Sequence, residues 1–394
     1  MVVKAYVMDG VWDPKPGYVP NAREVREKRA VRSDMVYRNL KAGIREVPEP
    51  NPGNLDVVIK VGACGVCGSD IHTGEMASDG YTRYAGHLRL PVIMGHEFSG
   101  EVVEIGKDVT SVKVGDIVAV EQIRPCGFCD ACKTGYFNSC RNIEEVGLSV
   151  DGGFSEYTLV PETFCCNINE IENLLGNRIA ALEAGALAEP AGVAYNGIVV
   201  KGKGIIPGTN VAVMGTGPIG LAAVSIAKAS GAAQVFAIDI SEKRLEIAKL
   251  CGADIVINSA ETEKKGHKIS DVLLELTHGL GCRTVVETAG APDSTYPEIV
   301  KFMSINANVV VIGRSPNVAP IDLEQFIVKG CSLSGSIGTA GNDIIPTVLR
   351  LMASGRIDMR KTITGRFSLD DTQKGINEAR KGGQGKVMIS QHYK

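Results

Sequence analysis

The chain has 394 residues, 44% hydrophobic and 22% charged, enough apolar material for two or three cores and too much for a largely disordered protein. Lys plus Arg total 42 and Asp plus Glu 45, a formal charge of −3, so there is no electrostatic footprint for nucleic acid or an anionic membrane. The 46 glycines follow no Gly-X-Y period and imply tight turns rather than collagen. The N-terminus carries Lys4 and Asp9 too early for a signal peptide, and a cytoplasmic protein is expected.

Residues 1–192 read as mostly β, with short β-branched runs at 57–61, 98–105 and 117–120 between glycines and prolines. One segment breaks this pattern. Residues 11–36 are polar and dense in Arg23, Glu24, Arg26, Glu27, Lys28 and Arg29, as expected of a surface excursion with a short helix. Eleven cysteines, an odd number, argue for metal or redox use over a disulfide framework. Cys67 lies in Gly65-Val66-Cys67-Gly68-Ser69-Asp70-Ile71-His72, and His96 and Glu97 follow Gly95. With Glu189 these supply a thiolate, an imidazole and carboxylates, the donor types of a catalytic zinc that keeps one position open. Each is weak alone, and Cys64-x2-Cys67 could suggest a redox pair but lacks a surrounding βαβ unit.

Cys126-x2-Cys129-x2-Cys132-x7-Cys140 is a stronger pattern. Four thiolates so close in sequence can fill a tetrahedron around Zn²⁺ and fold a lobe, about 124–142, that has little core of its own. The spacing matches neither ferredoxin pattern.

From 193 to 333 apolar strand-like runs alternate with helical patterns. Strands are expected at 211–214, 235–238, 255–257, 285–286 and 309–312, with helices from Pro218 and Glu242. That alternation predicts a doubly wound parallel sheet. The apolar stretch 211–238 is interrupted by Lys228 and glycines, which favours strand–turn–helix–strand over a membrane span. Gly215-Thr216-Gly217-Pro218-Ile219-Gly220 follows the first strand and opens a helix. Gly215 permits the tight turn, Gly217 lets a pyrophosphate approach, and Gly220 lets helix and strand pack closely. Asp239 ends the next strand, where a carboxylate can accept the ribose hydroxyls of NAD and repel the 2′-phosphate of NADP. Arg244 could lie along the adenosine or be a solvated helix charge. Residues 334–394 return to mixed α and β character.

These motifs, in this order and approximate spacing, resemble the zinc-dependent medium-chain dehydrogenase family. The resemblance implies an α/β architecture: a β-rich groES-like catalytic domain, 1–192 plus 334–394, split by a Rossmann NAD-binding domain, 193–333. It implies two zinc ions per chain, one structural on the four cysteines and one catalytic on Cys67, His96 and Glu189, with Glu97 beside it or exchanging onto it. Glu189 stands where the alcohol dehydrogenase branch has a second cysteine, as in sorbitol-type polyol dehydrogenases. In such enzymes Ser69 would take the alcohol proton and pass it through the nicotinamide ribose to His72 and solvent, while hydride goes to NAD. The departures are the 11–36 excursion and a long 74–90 loop.

The residues around Glu189 and the charged excursion look most like inosose dehydrogenases, which act on inositol-derived ketones. Linear polyol or diol dehydrogenases and threonine 3-dehydrogenase are the alternatives. A non-catalytic NAD-binding protein of this fold would be expected to lack the ligands present here. Tyr81, Arg83, His87 and Glu121 are candidates to meet substrate hydroxyls, and an ordinary surface role is favoured for each. A homodimer or homotetramer is implied by the family alone.

Overall fold

The computed structural model describes residues 2–393; Met1 and Lys394, the ends of the predicted catalytic domain, lie outside them. The alternation of buried runs and helices after residue 209 builds a six-stranded parallel sheet. From edge to edge its strands are Ile255–Asn258, Gln234–Asp239, Asn210–Met214, Cys282–Glu287, Met303–Val311 and Ser332–Gly335. The order reverses beside Asn210–Met214, the switch point at which such sheets take a dinucleotide. Helices Pro218–Ala229 and Glu242–Leu250 start where expected. The expected strand 309–312 ends one residue sooner, because Ile312 and Gly313 both turn their N–H groups onto the Glu287 carbonyl.

The second sheet has seven strands. Asp56–Gly65 pairs with Glu97–Ile105 along one edge, and with Tyr157–Pro161 and Lys386–Ser390 along the other. The last strand therefore returns across the whole parallel domain to lie beside the second half of Asp56–Gly65. The reading of 1–192 as mostly β misses three helices, Asn169–Leu175, Arg178–Ala186 and Ala188–Tyr195. Residues 178–195 are rich in alanine, leucine and glutamate, and helix propensity prevails there. Position 193 falls inside the third of these helices and position 333 inside Ser332–Gly335. The small side chains Ala181, Ala191 and Ala194 share one buried cluster with Ile117 and Ala119 of one sheet and Val211 and Val213 of the other. The two sheets thus bury a common core through these helices.

The charged excursion is ordered by its own hydrogen bonds. Asn21 caps helix Ala22–Glu27 in a reciprocal capping box with Glu24. Glu24 is 3% exposed, and its carboxylate accepts from Asn21 N, Asn21 Nδ2, Tyr18 Oη and Val31 N at 2.8–3.0 Å. The chain then pairs Arg29–Ala30 antiparallel with Leu88–Arg89. Ser33 donates its hydroxyl to the Tyr84 carbonyl and its N–H to that of Gly86. Tyr37 donates to Lys28 O and accepts from Leu90 N. The excursion therefore grips residues 84–90.

Glu24→Ala should strand four donors and cost about 2 kcal/mol of local stability. Hydrogen exchange should then quicken at 18–33 and at 86–90 together, while the parallel sheet stays protected.

Candidate active site

Strand Asp56–Gly65 delivers Cys67 to the start of helix Gly68–Thr73. Asp70 accepts from Cys67 N at 2.9 Å and so faces back beneath that start. Gly95 has φ +88°, and a Cβ there would strike Cys64 Sγ and the Phe154 ring at 2.8 Å. Glycine alone lets the chain turn so tightly before His96. His96 is 2% exposed, with Nδ1 3.9 Å from Asp70 Oδ1. Ligand atoms of Cys67, His96 and Glu97 all lie within 4.8 Å of one another. Glu189 is buried in helix Ala188–Tyr195 outside that tight group, near enough to act electrostatically on His96.

Glu97 is not a free ligand. Both its oxygens lie 2.7 Å from Lys386 Nζ, which donates its third hydrogen to Val66 O at 3.1 Å. The pair is 1% and 2% exposed. A Cβ on Gly65 would sit 2.2 Å from Glu97 Oε2, so that glycine makes room for the carboxylate.

The electrostatics tests whether a cation fits. Burial pulls the His96 imidazole down, but Cys67, Asp70 and Glu189 outweigh it and lift the group well above its ordinary range. Burial pushes Glu189 up to about 7, helped by Glu97 and Asp70 and opposed by His96 and Lys386. Ser69 Oγ, Asp70 Oδ1 and His96 Nδ1 are buried without a hydrogen-bond partner among the described residues. Four groups able to carry negative charge, Cys67, Asp70, Glu97 and Glu189, crowd around one lysine and one imidazole, a donor set that suits a divalent metal.

Sequence reading overlooked Lys386, which lies 289 residues from its partner, and the supporting role of Asp70. No local pattern marks the lysine. Asp70 was visible as the third residue of a short helix, the capping-box position. His72 is exposed at the surface, with Nδ1 3.0 Å from Glu75. Tyr81 is a brace, buried with Lys15 and Arg38 over its ring. Arg83 is exposed, and His87 Nδ1 lies 3.6 Å from Glu145. Burial lifts Glu121 to about 7, partly offset by the Gly341 N–H.

In the other cluster, Cys126, Cys129, Cys132 and Cys140 also lie within 4.8 Å of one another. Cys129 Sγ is 3.5 Å from Cys132 Sγ and 3.9 Å from Cys140 Sγ, against an ideal S···S of roughly 3.8 Å around Zn²⁺. Against the upward push of burial, N–H groups of Phe128 and Cys129 bring Cys126 down to about 6, so a thiolate is available at neutral pH. Asn138 ties the lobe to Ala340 through both N–H and carbonyl.

At the switch point, Gly215 has φ +87°, and a Cβ there would strike Ala289 at 2.6 Å. One on Gly220 would lie 1.9 Å from Gly215 O, whereas one on Gly217 would meet open space. That opening, at the start of a helix with Pro218 at its first position and Ile219 next, is a cradle for a pyrophosphate. Asp239 Oδ2 accepts from Thr216 N at 2.6 Å and Thr216 Oγ1 at 3.0 Å, with Arg244 Nη1 at 3.6 Å.

Two family profiles match the chain. That of the alcohol dehydrogenase GroES-like domain covers residues 53–170, and that of the zinc-binding dehydrogenases covers 218–354. Scyllo-inosose 3-dehydrogenase of Thermotoga maritima is 37% identical over 381 residues, 94% of each chain. The chain belongs to the zinc-dependent medium-chain dehydrogenases. L-threonine 3-dehydrogenase of Caldanaerobacter subterraneus is 35% identical over 347 residues, 88% of this chain and 93% of that one. A solved Thermotoga maritima structure assigned as an alcohol dehydrogenase superposes with TM-score 0.93 at 35% identity, covering 98% of this chain and all of the other. This dehydrogenase is therefore an oxidoreductase of a zinc- and NAD-using family, and none of its described helices is long and apolar enough to cross a membrane.

Lys386→Met should cost the dehydrogenase about 3–5 kcal/mol in urea unfolding, because Glu97 stays buried without a partner. Adding Glu97→Gln should recover most of that loss; equal stability of the single and double variants would show that the pair is not coupled.

Proposed function

We propose that the dehydrogenase oxidises a secondary alcohol on a cyclitol, an inositol-derived ketone or close relative, by hydride transfer to NAD. The alignment to scyllo-inosose 3-dehydrogenase carries this reading, since it covers 94% of this chain at 37% identity, against 88% at 35% for the threonine enzyme. Oxidation of threonine is the second reading, favoured by that other relative.

Cys67, His96 and Glu189 would hold the catalytic zinc with Glu97 beside it, and the four cysteines a structural zinc, two ions per chain. Bound there, zinc would acidify a substrate hydroxyl toward neutral pH, and NAD would accept the hydride. Asp70 orients His96 from behind. Ser69 Oγ, buried and without a hydrogen-bond partner among the described residues, takes the proton from the substrate hydroxyl as it gives up its own. His72, at the surface beside Glu75, releases it to solvent. Gly215, Gly217, Pro218, Ile219 and Gly220 form the pyrophosphate turn; Asp239 binds the adenosine ribose, and Arg244 flanks it.

The division at about 192 and 333 into catalytic, nucleotide-binding and catalytic segments rests on which sheet each strand joins. Ser332–Gly335 is an edge strand, with Leu333 and nearby Ile327 and Ile337 exposed, and we place a homodimer or homotetramer contact there. Five of the eleven cysteines gather in ligand sets, which fits a reducing compartment, and we place the enzyme in the cytoplasm.

Purified zinc-replete enzyme should form NADH fastest with a cyclitol or inosose among inositols, linear polyols, short diols and threonine, and only slowly with NADP. Threonine or a linear polyol as the best substrate would overturn the cyclitol reading. Ser69→Ala should lower kcat about 10²–10⁴-fold with two zincs retained by metal analysis; full activity would remove Ser69 from the proton path.

A further inference from the structure

The four-cysteine lobe is a loop with a neck. The chain enters it through Ile123–Arg124 and leaves through Glu144–Glu145, two short strands paired antiparallel with Glu144 opposite Arg124 and Glu145 opposite Ile123. This neck adjoins the first and last of the four cysteines. Cys126 N donates to Cys140 Sγ at 3.2 Å. Asn142, two residues before Glu144, donates its N–H to Cys140 Sγ at 3.3 Å and its Nδ2 to Cys126 Sγ at 3.8 Å. Donors of this kind orient a thiolate and stabilise its charge. The lobe's own core is small: Ile123, Ile143 and Ala340 are buried together with Cys132 and Cys140. A closed neck therefore matters to keeping the sulfurs of Cys126 and Cys140 together.

A charge from the N-terminal excursion fastens that neck. Arg29 is 7% exposed. Its Nη1 lies 3.2 Å from Glu144 Oε1, and its Nη2 lies 3.3 Å from Glu27 Oε2. The second oxygen of Glu144 is 3.5 Å from Arg124 Nη1, across the hairpin. A guanidinium this deeply buried depends on its carboxylates, and losing one leaves part of its charge without compensation. The strand paired with Arg29–Ala30 meets the same arm of the neck. His87 Nδ1 lies 3.6 Å from Glu145 Oε2, and Arg89 N donates to Leu148 O at 3.1 Å. The excursion and the segment it grips thus both bear on the chain where it leaves the lobe.

We propose that the charged N-terminal excursion is a clasp on the four-cysteine metal site: Arg29, through Glu144, holds the neck of the loop closed and so slows loss of the metal. The proposal rests on the structural-zinc reading above. Arg29 touches no sulfur; it is a positioning residue. Restricting the neck in advance lowers the entropy lost when four thiolates converge on one ion. It also keeps Asn142 in place to donate to Cys140 and Cys126. When the pair breaks, the two arms can part, Cys126 and Cys140 separate, and a competing ligand gains access to the metal. The 11–36 segment thereby gains a role in metal retention, apart from proton and hydride transfer.

The test uses the full-length protein loaded with cobalt(II) in place of zinc. Cobalt on four thiolates absorbs strongly through sulfur-to-metal charge transfer, and a site with one thiolate absorbs far less. Excess EDTA is added, and fading of the four-thiolate band is followed for wild type, Arg29→Met, Glu144→Gln, the double variant and Glu24→Ala. Arg29→Met and Glu144→Gln should each quicken release about tenfold, the size expected for one partly buried ion pair. The double variant should be no faster than the faster single variant, because both remove the same contact. Glu24→Ala, which loosens the excursion without touching Glu144, should quicken release by less. The weaker bands of cobalt at Cys67 should fade at the wild-type rate in every variant. Should Arg29→Met fail to fold, the milder Glu144→Gln decides.

The wild-type spectrum separates this result from failure of the parent reading. Wild type that takes up cobalt without a four-thiolate band would sink the structural-zinc reading and the clasp with it. A band that is present but fades at one rate in wild type, Arg29→Met and Glu144→Gln would sink the clasp alone. Equal quickening at both metal sites would mark general destabilisation and overturn it as well, as would rate increases that multiply in the double variant. A wild-type rate in Glu24→Ala would overturn the part assigned to the excursion.

Discussion

The buried ion pair between Lys386 and Glu97 underlies the geometry of the metal site. A carboxylate 1% exposed would protonate or move without a partner, because burial strongly disfavours an isolated charge. The lysine that holds it sits on the last strand, Lys386–Ser390, so the catalytic sheet is complete only when the chain has passed through the parallel domain and come back. Lys386 also binds the carbonyl of Val66, one residue before Cys67. One ammonium thereby joins the end of the chain, the carboxylate next to His96 and the backbone that presents the thiolate. With the lysine paired to Glu97, the anionic forms of Cys67, Asp70 and Glu189 are left without a counter-charge from it, and a dication would offset two of the three.

A second brace, Asp239, does comparable work in the parallel domain. Its carboxylate accepts from the backbone and hydroxyl of Thr216, between the two glycines that shape the turn, and its other oxygen accepts from Ser241 N at 2.8 Å. The residue we propose to bind the adenosine ribose therefore also holds the glycine turn in place. A substitution that removed its carboxylate would loosen that turn as well.

What was legible in the sequence was what local chemistry or periodicity encodes. The glycine turn, the four-cysteine spacing, Cys67, His96 and the alternation of strand and helix each announce themselves within a few residues. The helices at 169–195 were missed because the segment was read by its β-rich surroundings rather than by its alanine content. Lys386 was invisible because a lysine in an apolar strand near the C-terminus means nothing until Glu97 is placed beside it. Tyr81 is a candidate substrate contact on residue type alone, with an ordinary surface role favoured, but the cations over its buried ring make it a brace. Tyr84, three residues on, has the same type, but among the described residues no cation lies over its ring. Type and spacing do not separate the two; neighbours do.

The reacting centre and the N-terminal excursion are thus held by different physical means in this dehydrogenase. The reacting centre depends on buried charges whose balance is global, since its members come from positions as far apart as 67 and 386 and each is costly to change alone. The N-terminal excursion depends on individual hydrogen bonds and on a thin core of its own, Trp12 edge-on to Tyr37 at 5.4 Å with Lys28 over the Trp12 ring at 4.9 Å. Individual bonds of that kind contribute on the order of 1 kcal/mol and are local in their effects. Changes to the excursion can therefore re-aim the 84–90 segment without disturbing the charge balance at the metal site. A fold organised in this way can keep the charges of the reacting centre while the excursion and the 84–90 segment it grips are rebuilt.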